Sequence, residues 1–194
     1  MNEAPGPESS HLKKWKTLSS EYIFNDRWFK VRKDKCETPS GQIVDPYYVY
    51  EFPTWVAALP VTKDGKVILI RQYRQAVGEI LLEIPGGCVD DTDANFQEAV
   101  ARELQEETGY SFDQYEYLGK ISPNTSTNTN YLHMFLATGG EKTTNQHLDE
   151  NEEIEIVTVT FSELKQLLRE NKILQSMHVT CILYALERLK EISF

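Results

Sequence analysis

Cysteine is scarce in this chain. Cys36, Cys88 and Cys181 are too few and too far apart for a disulfide framework, and their spacing is not that of a zinc site. No apolar run approaches the length that spans a bilayer, so no membrane partner is expected. Residues 1–10 are polar with two prolines and read as a disordered tail; the rest reads as soluble and cytoplasmic. Cations are also in short supply: 20 Lys and Arg against 30 Asp and Glu leave a net charge of -10. That balance argues against a nucleic-acid surface, which needs clustered Lys and Arg. Internal repeats and low-complexity segments are missing as well. What remains is 194 residues with 40% hydrophobic and 26% charged content, enough for one good core and a small appendage.

The most informative stretch runs from Glu83 to Tyr110. Asn95, with Glu98 three residues on, reads as an N-cap and capping-box partner, and Gly109 is placed to end the helix in the left-handed conformation. A helix over 96–108 follows, with Phe96, Val100 and Leu104 as its apolar stripe. Glu103, Glu106 and Glu107 converge on another face. Like charges at this spacing cost about 0.2–0.5 kcal/mol, and acids in a last turn oppose the macrodipole by about 0.3–1 kcal/mol each. Something positive must offset this. For the helix alone, a solvated glutamate face relieved by Arg102 is the simpler reading.

Its approach shifts the balance. Ile80-Leu81-Leu82 with Ile84 reads as a buried strand ending at Pro85-Gly86-Gly87, where two glycines let backbone groups come close to an ion or phosphate. Carboxylates plus a free carbonyl are hard oxygen ligands, suited to Mg²⁺ or Mn²⁺ and unsuited to zinc. An anionic substrate fits such a site.

The glycine loop, its spacer and the run Arg102-Glu103-Leu104-Gln105-Glu106-Glu107-Thr108-Gly109-Tyr110 resemble the signature box of the Nudix hydrolases. Asp93 stands at the family's spacing from the second glycine, but eight residues instead of seven separate it from Arg102, which reads as a one-residue insertion between Cys88 and Ala94. The resemblance implies a Nudix fold, an α-β-α sandwich with a mixed central sheet, and divalent-metal-dependent hydrolysis of a pyrophosphate bond. Gly86 (through its carbonyl), Glu103 and Glu107 would hold Mg²⁺ or Mn²⁺, with Glu106 a catalytic residue and a further candidate ligand. Arg102 would orient the glutamates by ion pairing.

Before the box, residues 11–53 carry a β pattern: 21–24, 28–36 and 43–52, with Thr38-Pro39-Ser40-Gly41 as a turn. So small a sheet cannot stand alone. In ADP-sugar hydrolases of the resembled family a similar sheet makes a homodimer and lends aromatics to the adenine, which points to Trp28 and Tyr47; packing is the plainer alternative for each. The catalytic domain is expected over 54–194. In it, 56–61 and 67–70 form a hairpin around Lys63-Asp64-Gly65. Arg71 and Arg74 follow, and Arg74 resembles a substrate-contacting family position. Strands at 115–121 and 131–137 flank a polar loop that either covers a pocket or merely connects; Pro123 lies in it, near the position of a proline in the ADP-ribose branch.

His147 to Glu155 is an acidic run resembling that branch's mobile loop, in which one glutamate is the base and another a metal ligand. By position these are Glu150 and Glu152, with the base left open between them and Glu152 also a candidate ligand. Ser162 is expected to cap a helix with Leu164, Leu167 and Leu168, and a last helix starts near Met177. The substrate implied is a nucleoside diphosphate derivative, with ADP-ribose, cleaved to AMP and ribose 5-phosphate, ahead of other nucleotide sugars such as GDP-mannose. A non-catalytic nucleotide-sugar sensor is the rival.

Overall fold

In the computed structural model, which describes residues 11–193, the aromatic N-terminal stretch forms an antiparallel sheet of β1 (Lys16–Asn25), β2 (Lys30–Glu37) and β3 (Ile43–Glu51). The expected tail, 1–10, lies outside the described residues. Gly41, at φ 83°, makes the β2–β3 turn and donates its N–H to the Thr38 carbonyl at 2.9 Å. The first strand is longer than its sequence pattern indicated, and the second starts at Lys30 instead of Trp28. The cause is Asp26, whose Oδ1 accepts the amides of Trp28 and Phe29, both at 2.8 Å, and so holds Trp28 out of the ladder. Ser126–Thr129 belong to this unit: the Tyr50 amide donates to the Thr127 carbonyl at 2.7 Å and the Thr129 amide to the Tyr50 carbonyl at 3.0 Å. The long polar loop is thus paired to β3 over part of its length.

The second compact unit comprises Pro53–Thr125 and the chain from Asn130 onward. Its elements are β4 (Trp55–Thr62), β5 (Val67–Arg74), β6 (Glu79–Glu83), β7 (Gly86–Cys88), α1 (Phe96–Thr108), β8 (Tyr110–Ser111), β9 (Gln114–Ile121), β10 (Leu132–Lys142), β11 (Ile154–Val159), α2 (Phe161–Arg169) and α3 (Ser176–Arg188). The sheet runs β11-β5-β4-β10-β8, with β6 on β5, β7 on β4 and β9 on β10. It is mixed, because β10 pairs parallel with β4 (Met134 opposite Ala57) while the other pairs are antiparallel. Continuous apolar runs in β4 and β5 suit strands covered on both faces. Ala57, Leu59 and Val61 face α2 and α3 through Leu164, Ile182 and Leu186. Val56, Ala58 and Ile68 face α1 through Val100 and Leu104. The α-β-α sandwich is therefore the architecture present. No helix among the described residues is long and apolar enough to cross a membrane.

One expectation is narrowed and two need correction. The hairpin of β4 and β5 pairs at Val61 and Val67, and β4 then turns its edge to β7, with Val56 opposite Gly87 and Ala57 opposite Gly86. The run at Ile80 is an edge strand: Ile80 is exposed, and burial reaches only Glu83 and Ile84 at its C-terminal end. Thr160, not Ser162, caps α2. Its extended backbone lets the hydroxyl accept the Glu163 amide while Glu163 accepts the Thr160 amide in return; Ser162 is already inside the first turn.

Candidate active site

Local chemistry alone sets α1. Asn95 accepts the Glu98 amide at 3.0 Å, and Gly109, at φ 74°, donates its N–H to the Gln105 carbonyl at 2.8 Å. Glu98 answers one residue earlier than a standard capping box, on the Ala94 amide at 3.3 Å. Ala99, Val100 and Leu104 are buried, while Phe96 is only partly covered and stacks on His133 at 3.7 Å between ring centroids.

Pairing of β7 with β4 carries the glycine turn to the last turns of this helix. The Gly86 amide donates to Glu107 Oε2 at 2.8 Å. A Cβ on Gly87 would stand 2.6 Å from Glu103 Oε1, so the absence of a side chain there lets the Glu103 carboxylate lie against the turn. Glu107 is 4% exposed and the Glu103 side chain 14%, whereas the Glu106 side chain is 42% exposed. Hence two of the three glutamates are removed from water and the third is not.

The offsetting cation is Arg102. It donates to Glu103 Oε1 at 3.0 Å, Glu106 Oε2 at 2.9 Å and the Cys88 carbonyl at 3.0 Å, and grips both oxygens of Asp93 at 3.1 and 3.0 Å. The displaced acid of the spacer therefore anchors the arginine that aligns two of the helix glutamates. Its bond to Arg102 also holds the Asp93 carboxyl below the ordinary range. Sequence reasoning saw the unusual spacing but not this partner, since nothing local joins the two.

Arg74 is fixed by a residue the sequence reading passed over. Its Nε and Nη2 meet Glu83 at 3.1 and 2.6 Å, and Glu83 is 2% exposed. An acid inside the run Ile80 to Ile84 was the available signal, because a buried carboxylate demands a partner. His178 Nδ1 lies 3.8 Å from Glu83 without a hydrogen bond, and burial pushes that imidazole down to about 4, so it is neutral at neutral pH.

Burial pushes Glu103 up to about 7, against the pull of Arg102 and with added repulsion from Glu106 and Glu152. It drives Glu107 well above the ordinary carboxylate range, opposed by the Gly86 amide and reinforced by Glu103 and Glu152. Glu152, half-buried in the acidic loop, thus acts on both helix acids, while Glu150 is exposed. Among the described residues no group of three acidic, His or Cys side chains is gathered tightly enough to hold a metal ion. The donor chemistry nevertheless fits a hard divalent cation: only oxygen ligands are offered, and the burial that disfavours two carboxylates is what a bound cation reverses. Of the remaining predicted residues, Trp28 lies exposed in the N-terminal unit with the Arg27 guanidinium 4.5 Å above its ring. Tyr47 in the same unit donates its hydroxyl to the Ser126 carbonyl at 2.6 Å. Pro123 follows β9 in the second unit.

A pH test separates these acids from the rest of the protein. A carboxyl whose folded value is raised contributes stability below its ordinary value of about 4.5 and loses it as pH rises through about 7. In metal-free buffer, Glu103→Gln is therefore expected to match the parent near pH 5 and to exceed it at pH 8, by at most about 3 kcal/mol. Chemical denaturation at both values checks this; equal differences at the two pH values would contradict the burial described here.

A model of the NUDIX domain matches residues 52–178, and one of the nucleoside diphosphate sugar hydrolase N-terminal domain matches residues 15–50. The chain is 31% identical over 170 residues to a methanol dehydrogenase activator of Bacillus methanolicus, covering 87% of this chain and 91% of that one. It is 28% identical over 180 residues to an ADP-ribose pyrophosphatase of Bacillus subtilis, covering 91% and 94%. A crystal structure of an ADP compounds hydrolase superposes with a TM-score of 0.82 at 25% identity, over 94% of this chain and 98% of that one.

Proposed function

Because the chain belongs to the Nudix hydrolases, in the ADP-ribose and nucleotide-sugar branch, and so acts on phosphoanhydrides, we propose that it cleaves the diphosphate of ADP-ribose, giving AMP and ribose 5-phosphate. The observation that carries this is the pair of carboxylates held largely out of water, Glu103 and Glu107, closed onto a glycine turn with Glu152 in their field. Glu103, Glu107 and Glu152, with the Gly86 carbonyl, would hold Mg²⁺ or Mn²⁺, which when bound neutralises the diphosphate and polarises its phosphoryl oxygens. Arg102 and Asp93 keep Glu103 and Glu106 aligned. Arg74, gripped by Glu83 through Nε and Nη2, offers Nη1 to the diphosphate, a geometry suited to phosphate oxygens. Glu150, the exposed acid of the loop, accepts the proton of the attacking water.

Incubation with Mg²⁺ and a panel of ADP-ribose, other nucleotide sugars and dinucleotides, followed by chromatography of products, tests the activity. Binding without turnover would favour the sensor reading, and neither would remove both. The two loop acids are separated by their metal response. Glu150→Gln should lower kcat about 10²–10⁴-fold at unchanged Mg²⁺ affinity, whereas Glu152→Gln should weaken both; the reverse pattern would exchange their roles.

The N-terminal sheet supports a homodimer. All ten residues of β1 are exposed, among them Leu18, Tyr22, Ile23 and Phe24, which is more apolar surface than a solitary strand ordinarily shows water. A second copy covering this strand is proposed, and Ile23→Asp is expected to convert a dimer to a monomer in sedimentation; a parent that sediments as a monomer would end the idea.

A further inference from the structure

The segment between β10 and the acidic loop carries no reactive group, yet it closes the C-terminal end of α1. A helix leaves its last carbonyls without intrahelical partners. Here the amides of Thr143 and Thr144 donate to the Gly109 carbonyl at 2.9 and 3.1 Å, and the His147 amide donates to the Glu106 carbonyl at 2.9 Å. The Gln146 side chain completes the set by donating to the Glu107 carbonyl at 2.7 Å. The same nitrogen reaches the Ile154 carbonyl, at the first residue of β11, at 3.2 Å. One NH₂ group therefore joins three points: its own place ahead of the acidic loop, the backbone of a buried helix glutamate, and the residue where the loop ends.

Residues 147–153, which include Glu150 and Glu152, hang from that knot. Tying both ends of a short loop leaves its tip free while fixing where it starts and returns. Glutamine suits the position because it supplies two N–H donors without charge. A Lys or Arg could reach the same carbonyls but would bring a charge that two neutral acceptors do not balance. Gly109 allows the approach: a Cβ there would stand 2.3 Å from the Thr144 carbonyl oxygen.

We propose that Gln146 is a positioning residue that locks the base of the acidic loop to the catalytic helix and so keeps Glu152 beside Glu103 and Glu107. This rests on the hydrolase reading above for its effect on rate, but not for its effect on the loop. Gln146→Met keeps the length of the side chain and removes both donors. In the full-length protein, amide exchange across 147–153 is expected to quicken about tenfold, with exchange in the interior of α1 unchanged. With ADP-ribose and Mg²⁺, kcat should fall about tenfold while KM stays within about twofold. In a Glu152→Gln background the same change should cost clearly less kcat than in the parent, because one of the two loop acids it positions is already silenced.

Unaltered exchange in the loop would overturn the proposal, as would a full, additive loss of kcat in the double variant. Faster loop exchange in a protein that turns over no substrate would leave the lock standing and remove the hydrolase reading instead. If Gln146→Met does not fold, Gln146→Asn, which withdraws the amide by one methylene, serves the same exchange measurement.

Discussion

Glu107→Gln is expected to lower kcat about 10³-fold, since in the proposed role of Glu107 as a metal ligand its loss forfeits several kcal/mol of charge stabilisation at 1.36 kcal/mol per tenfold. The fold should not suffer. Glutamine keeps a carbonyl oxygen for the Gly86 amide now bonded at 2.8 Å. It also removes an ionisable group that burial holds well above the ordinary carboxylate range. Melting in metal-free buffer at pH 8 should therefore equal or exceed that of the parent. The combination is diagnostic, because a residue important only for packing would lose stability along with rate. Turnover within about threefold of the parent would show that the cation sits elsewhere.

Gly86→Ala should act in the opposite way, by breaking the fold. Gly86 has φ 153°, a region that disfavours side chains, and a Cβ would stand 2.2 Å from the Val56 carbonyl oxygen. That oxygen and the Ala57 Cα, at 2.6 Å, are both backbone in paired strands, so neither can swing aside. Strain and overpacking together point to a loss of about 3–5 kcal/mol, or to failure to accumulate as folded protein. Gly87→Ala provides the contrast. Its Cβ would meet the carboxylate of Glu103, the far end of a flexible side chain, at 2.6 Å. That variant should fold with a smaller penalty and lose activity because Glu103 is pushed off the turn. Denaturation midpoints and kcat measured side by side distinguish the two glycines; equal stability loss in both would mean the second also serves only the backbone.

The separate outcomes for neighbouring glycines reflect how differently the parts of this site are encoded. Helix α1 was readable with its bounds because every cue for it lies within four residues: the Asn95 cap, the Val100 and Leu104 stripe, the left-handed Gly109. The cap of α2 was equally local, and the Thr160-to-Glu163 spacing marked it although the more central Ser162 drew attention. Glutamate clustering was legible for the same reason, as was the need for a cation to accompany it.

Which carboxylates lose water was not legible. Glu107 is buried, Glu103 is largely covered and Glu106 is more exposed because β7 lies against β4 and carries the glycine turn onto one side of the helix. That placement depends on strands far apart in the chain choosing partners. The same holds for Asp93 gripping Arg102, Glu83 gripping Arg74 and Gln146 reaching both Glu107 and Ile154. Short-range rules of capping and periodicity act on the chain before it folds, so residue order alone dictates the helix and its acids. Burial, and the ion pairs that burial makes obligatory, exist only after distant segments meet, so they belong to the folded protein.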